Sequence, residues 1–120
     1  MSKTLMPNDV DLARKAVEVA AEQQASDVLL LDIRQLAAFA DYFIILTAES
    51  VRQTNAVAEE ITNVLKTMGA KLHHTEGKPS SGWMLLDYGD IVIHIFSPEQ
   101  REYFRLEDLW TVAPPLIQIQ

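Results

Sequence analysis

The chain has 120 residues, 48% of them hydrophobic, and a net charge of −7 from 17 acidic and 10 basic side chains. That is enough apolar material for one domain to bury a core without metal or disulfide staples, so residues 1–120 read as a single domain. With no cysteine, disulfides, thiolate nucleophiles and cysteine-ligated zinc or iron–sulfur sites are excluded, and a reducing compartment, the cytoplasm by default, is expected. No apolar run approaches the ~20 residues of a membrane helix. Met1 to Asn8 lacks a signal-peptide apolar stretch and an Arg-rich transit helix, so the mature protein is expected to be the whole chain. Lysine and arginine are scattered singly rather than clustered. Phosphate-backbone binding needs several cations on one surface, so direct sequence-specific contact with nucleic acid is not expected. An acidic protein is instead steered toward basic protein surfaces.

Asn8-Asp9-Val10-Asp11 has the form of a helix start, Asn8 capping and Asp11 third, ahead of apolar Val10, Ala13, Val17, Ala20 and Ala21; the helix is expected to reach about Gln24. Asp27–Ile33 and Tyr42–Thr47 are Val/Leu/Ile-rich runs too short for helices and read as buried strands. Ser50-Val51-Arg52-Gln53 is a capping box, followed by Val57, Ile61, Val64, Leu65 and Met68 on one stripe, with Gly69 as the stop. Lys71–His74 reads as a short edge strand and Thr75–Gly82 as a mobile connection. Ser97-Pro98-Glu99-Gln100 opens a last helix expected to turn Tyr103, Leu106, Leu109 and Trp110 toward the body, and Ala113-Pro114-Pro115 ends it, leaving 111–120 as a flexible tail. The order of elements gives an α/β fold: a central mixed sheet with helices mainly on one face.

The chemistry concentrates in Trp83–Phe96. If Tyr88-Gly89 is a two-residue turn, Asp87 pairs with Asp90, Leu86 with Ile91, Leu85 with Val92, Met84 with Ile93 and Trp83 with His94. One face then carries Met84, Leu86, Ile91, Ile93 and Ile95, all aliphatic; the other carries Trp83, Leu85, Asp87, Asp90, Val92, His94 and Phe96. The first reads as core and the second as a contact surface. Trp83 suits an interface anchor, the alternative being burial beneath the chain's own C-terminal helix. Asp87 and Asp90 fit turn chemistry or partner contact ahead of a metal or acid/base pair, and His94 reads as a packed aromatic ahead of a ligand or base. No Gly-rich nucleotide-binding pattern is present, and no cofactor is expected.

Asp41-Tyr42-Phe43-Ile44-Ile45-Leu46-Thr47, then Ser50, Arg52-Gln53, Glu76-Gly77, Trp83 through Phe96, Glu99, Arg101, Tyr103 and Leu106-Glu107-Asp108-Leu109-Trp110, in that order, resemble the ribosomal silencing factor family, also called Iojap-related proteins. The resemblance spans nearly the whole chain. It implies a nucleotidyltransferase-like fold without transferase chemistry. It further implies binding to the large ribosomal subunit through its fourteenth-numbered ribosomal protein, with steric block of subunit joining and repression of translation. The partner-facing residues it implies are Trp83 with its strand neighbours Leu85 and His94, Tyr88 at the turn, Asp87 and Asp90 as acidic contacts, and Glu76 at the rim. The family's Gly-Thr-Ser-like stretch is Thr47-Ala48-Glu49-Ser50 here, so a role resting on that glycine does not transfer. Two further readings stand beside this one: a small nucleotidyltransferase-like or metal-dependent enzyme using Asp87, Asp90 and His94, and a homodimer formed through the same hairpin face.

Overall fold

The computed structural model describes residues 8–120, so the reading of the first seven residues as free of a targeting segment lies outside the described residues. Helix α1 runs Asp9–Glu22, its N-terminus capped by Asn8, whose side chain accepts from the Asp11 amide at 2.9 Å. Strand β1 (Ser26–Asp32) pairs antiparallel with β2 (Tyr42–Thr47). Helix α2 (Val51–Thr67) begins at Ser50, whose hydroxyl accepts from the Gln53 amide. The Gln53 side chain does not close the box on Ser50: its carbonyl takes the Glu49 amide at 2.6 Å and its amide nitrogen donates to the Gln23 and Gln24 carbonyls. The start of α2 is thereby tied to the end of α1.

The edge strand β3 occupies His74–Lys78, later than expected, and a 3-10 turn, Pro79–Ser81, leads into β4 (Trp83–Asp87). The segment read from sequence as a mobile connection is therefore mostly paired backbone. Gly77 makes that pairing close: a β-carbon there would lie 2.1 Å from the Trp83 carbonyl oxygen. Strand β5 (Ile91–Phe96) follows, then the short helix α3 (Pro98–Phe104), capped by Ser97, a 3-10 segment Leu106–Trp110, and β6 (Pro115–Ile119). The last ten residues are not a free tail. Val28, Leu29 and Leu30 of β1 pair with Ile119, Gln118 and Ile117 of β6.

The six strands form one sheet in the order β3-β4-β5-β2-β1-β6, antiparallel except for the β2–β5 pair. The two helices with a long apolar stripe, α1 and α2, cover one face. Ala13, Val17, Ala20, Val57, Ile61 and Leu65 meet Leu30, Ile44, Leu46, Leu86, Ile93 and Ile95 there. The other face has its own smaller core of Leu31, Ile33, Phe43, Ile45, Val92 and Phe96, roofed by Ala113, Leu106 and Trp110. The roof spans β1, β2 and β5 and leaves β4 and β3 more open, so this face is half covered rather than free.

The roof is anchored by one cation. Arg101 of α3, its side chain 12% exposed, donates to the Glu107 carboxylate at 3.1 Å, the Asp27 carbonyl at 2.8 Å and the Thr47 hydroxyl at 3.0 Å. Asp27 sits in a left-handed conformation (φ +47°) at a register shift in β1, and its carbonyl is one of these acceptors. Arg101→Gln, which leaves Glu107 and the Asp27 carbonyl without their donor, is expected to cost about 2–4 kcal/mol in chemical denaturation, with the loss concentrated in hydrogen-exchange protection of residues 101–119.

Candidate protein-interaction site

The hairpin turn lies one residue later than the sequence suggests. Tyr88 pairs with Ile91, its amide donating to the Ile91 carbonyl at 2.9 Å, so the two loop residues are Gly89 and Asp90. Gly89 takes φ +89° and Asp90 is not in the left-handed region, the arrangement of a type II′ turn with glycine first. A β-carbon on Gly89 would also strike the His73 ring at 2.7 Å. The true pairs are Trp83–Phe96, Met84–Ile95, Leu85–His94, Leu86–Ile93 and Asp87–Val92. Moving a turn by one residue shifts each partner by two, and because side chains alternate with period two, both faces keep their composition except for Asp90, which passes into the turn. The expected pairing of Asp87 with Asp90 does not survive.

Trp83 is half-buried, not entombed. Its ring lies beside Phe96 (centroids 6.5 Å, 19° apart in plane) and near-parallel to His94 on the diagonal (6.3 Å, 12°), with Phe104 at 6.3 Å. The indole N–H donates to His94 Nδ1 at 3.2 Å. Because the indole nitrogen can only donate, that ring nitrogen must accept, which places the proton of a neutral imidazole on Nε2. Nε2 is buried and has no partner among the described residues. His94 itself is only 6% exposed, edge-on to Phe43 at 5.0 Å, and burial pushes its pKa down to about 4. Nearly enclosed, His94 fixes the plane and tilt of the indole.

Around Trp83 the surface is open and apolar. Trp83, His94, Phe96, Phe104, Leu106 and Leu109 line a shallow hollow of about 190 Å³. Phe104 is 52% exposed, Leu109 73% and Tyr103 78%. Tyr103 and Leu109 therefore point outward, contrary to the expectation that they face the body, whereas Leu106 and Trp110 do pack inward. The cause is a break in periodicity: α3 ends at Phe104 because Arg105 adopts φ +47°, and the following residues turn as a 3-10 segment.

Register also extends this face across β3: Lys78 lies opposite Trp83, Glu76 opposite Leu85 and His74 opposite Asp87. Glu76 is exposed and Leu85 half-buried beside the roof core. The Asp87 carboxylate accepts from the Gly89 amide at 2.7 Å and lies 3.2 Å from His74, which also reaches Glu76 at 3.1 Å. Lys78, Phe104 and Leu109 belong to this surface and were not singled out for it from the sequence; only the β3 register and the end of α3 bring them there.

Two of the expected site residues lie elsewhere. Tyr88 turns to the helix-covered face and packs against the main core. Asp90 joins Asp9 and Asp41, acceptor oxygens within 4.8 Å of one another, the one group of metal-ligand type found among the described residues and an oxygen set suited to a hard divalent cation. Partial burial, with Asp90 and Asp41 adding to it, raises the Asp9 pKa. Asp87, Asp90 and His94 thus lie in three separate surroundings, and the enzyme reading gains no convergent geometry from the fold.

Two outcomes follow from these groups. His94 has a folded pKa below its unfolded one, so its contribution to stability is complete above about pH 6.5 and is lost as pH falls toward about 4. His94→Gln, which keeps an acceptor for the indole, is expected to remove on the order of 3 kcal/mol of that acid-side loss, read as the difference between urea midpoints of the two proteins across that window. Asp9 has the opposite sign, its folded pKa being raised, so repulsion is felt at neutral pH and relieved in acid. Asp90→Asn is expected to stabilise the protein at pH 7 in urea denaturation by a small amount, at most about 1 kcal/mol for these part-exposed carboxylates, and to lose that advantage as the pH falls into the carboxylate range.

Comparison with known proteins agrees with this architecture. A protein-family model described as ribosomal silencing factor during starvation matches residues 7–120. The chain is 34% identical over 104 residues to a ribosomal silencing factor of Halalkalibacterium halodurans, covering 87% of this chain and 89% of that protein. It is 35% identical over 107 residues to the ribosomal silencing factor of Bacillus subtilis (89% and 91% covered). It is 36% identical to the chloroplastic protein Iojap of Zea mays, covering 89% of this chain and 46% of that one. A crystal structure of a Chromobacterium violaceum protein superposes with a TM-score of 0.83 at 30% identity, 88% of each chain being covered. Family model, relatives and fold agree over most of the chain, which therefore belongs to the ribosomal silencing factor family.

Proposed function

We propose that this protein is a non-enzymatic translation repressor that docks on the large ribosomal subunit through its Trp83 face. The subunit component it grips is the basic, fourteenth-numbered ribosomal protein, and its bulk then blocks the small subunit from joining. The names of its relatives, ribosomal silencing factors, support the silencing role. The observation that carries the docking surface is the half-buried indole, held at a fixed angle by His94 beside an open apolar hollow.

The physical match is one of shape and charge. A rigid aromatic offers large contact area at little entropy cost, and interface energy concentrates in a few such anchors. Glu76, Asp87 and the net charge of −7 favour a cationic partner and speed its capture by steering. Asp90, gathered with Asp9 and Asp41, and Tyr88, on the helix-covered face, are left out of the proposed surface. The proposed site of action is the cytoplasm.

A second reading, self-association through the same face, is favoured by the exposure of Tyr103, Leu109 and Val112, each more than 70% exposed, next to Phe39 and Phe104. Contiguous apolar surface of this kind is usually covered by something. Dimer and ribosome would then compete for one surface, and adding large subunits would shift the sedimentation of the protein from dimer to bound monomer.

Trp83→Ala is expected to weaken co-sedimentation with purified large subunits by about 2 kcal/mol or more while the far-ultraviolet circular dichroism stays unchanged. Undiminished binding by a folded Trp83→Ala protein would place the docking surface elsewhere.

A further inference from the structure

The two ends of the sheet are finished differently. Strand β3 carries Glu76 and Lys78 and contains the left-handed Gly77, devices that keep an edge from pairing further. Strand β6, at the opposite end, reads Pro-Leu-Ile-Gln-Ile and bears no charge. Pro115 and a register shift opposite Leu30 and Leu31 blunt only its beginning. From Ile117 to Ile119 its pairing with β1 is regular, and among the described residues no further strand or loop backbone bonds to its outer side. Alternate N–H and C=O groups there face outward without a ladder partner, and Leu116 and Ile119 are 40% and 37% exposed.

The two sides of this edge differ in chemistry. Ile119 lies opposite Val28 and Ile117 packs against the helix-covered core, whereas Gln118 lies opposite Leu29 on the roofed side. On that side Gln118 and Gln120 border a hollow of about 230 Å³ with Asp27, Arg101 and Glu107, which continues into a second hollow past Glu49, Glu102 and Asp108. The cations there are already engaged: Arg101 by Glu107, the Asp27 carbonyl and Thr47, and Arg105 by Asp108. Asp27, Glu49 and Glu102 are exposed carboxylates in no ion pair among the described residues. A strand added outside β6 alternates its side chains as β6 does, so one set meets these carboxylates and the other meets the isoleucine side.

We propose that β6 is a docking edge for an extended segment of another protein in which lysine or arginine alternates with apolar residues. Main-chain bonds to Leu116–Gln120 hold the segment, its basic side chains lie toward Asp27 and Glu102, and its apolar ones continue the side that carries Ile117 and Ile119. The free carboxylates and the net charge of −7 select a cationic occupant; a second copy of this chain would bring a second charge of −7 to the same edge. The site is independent of Trp83, because β6 and the β3–β4 pair lie toward opposite ends of the sheet.

Fluorescence anisotropy with the end-blocked, labelled peptide Lys-Val-Lys-Ile-Lys-Val tests it. Saturable one-to-one binding is expected, about tenfold or more tighter than that of Lys-Lys-Lys-Val-Ile-Val or Glu-Val-Glu-Ile-Glu-Val. A strand bonds to its neighbour through alternate residues only, so methylating the three lysine amides and methylating the three apolar amides should differ: one peptide binds like the parent, the other about tenfold or more weakly. Ile119→Lys, and separately Asp27→Asn/Glu102→Gln, should each weaken binding about tenfold with unchanged far-ultraviolet circular dichroism; all three positions are exposed, and asparagine suits the left-handed backbone at Asp27. Amide resonances of residues 116–120 should shift on titration of the wild type. The proposal is overturned by absence of saturable binding, by equal affinity for the block-ordered peptide, by equal affinity for the two methylated peptides, or by undiminished binding to Ile119→Lys. It is equally overturned if the free protein dimerises with residues 116–120 protected from hydrogen exchange and the peptide excluded, since a second copy would then occupy the edge.

Discussion

The hydrogen bond from the Trp83 indole to His94 joins the inside of this protein to its outer surface. It forms on the diagonal of the β4–β5 pair, between a half-exposed ring and one that is almost fully enclosed. An indole on a bare strand would rotate over several rotamers. Stacked on His94 and beside Phe96, it has one orientation, and His94 in turn is set by Phe43 on the neighbouring parallel strand. The angle at which the surface anchor is presented is therefore determined by core packing three strands deep. The price is a buried imidazole N–H with no partner among the described residues, and a ring that must stay neutral.

The sheet explains why the two faces serve different ends. Both long amphipathic helices lie on one side, and their stripes exhaust the aliphatic residues of β2, β4 and β5 there. Among the described residues, the opposite side receives only a short helix, a 3-10 segment and the connection between β1 and β2. That cover reaches across the centre of the sheet, pinned by Arg101, but only partly covers β4. An aromatic surface left partly open beside a firmly held roof is rigid enough to bind without reorganising, which keeps the entropic cost of association low.

What the sequence reveals of this arrangement follows from period and length. Helices α1 and α2, with their caps at Asn8 and Ser50, and strands β1, β2, β4 and β5 are legible because each carries a strong apolar pattern between clear stop signals. The two faces of the hairpin are legible for the same reason. Its register is not, since Gly89 can serve as second or first residue of a two-residue turn, and only the close approach of His73 and the β5–β2 pairing decide between them. The place of strand β3 is not legible, and the edge strand expected at Lys71–His74 lies at His74–Lys78, because His-Thr-Glu-Gly-Lys has no buried residue and pairing with β4 alone makes it a strand. Strand β6 is hidden by Pro114-Pro115 and forms because β1 has an otherwise open edge. Of the surface around Trp83, the residues on β4 and β5 could be read directly. Phe104, Leu109 and Lys78 could not, because a left-handed Arg105 and the β3 register put them there, and Tyr88 changes sides once the turn moves.

The central claim is that the Trp83 face is the surface covered on the ribosome. Hydroxyl-radical footprinting of the protein, free and bound to large ribosomal subunits, tests it most directly. Strong loss of oxidation at Trp83, Phe104 and Leu109, with Tyr88 and the exposed side of α2 unchanged, is the result the account predicts; undiminished oxidation of Trp83 and Phe104 in the bound state, with protection confined to the helical face, would contradict it.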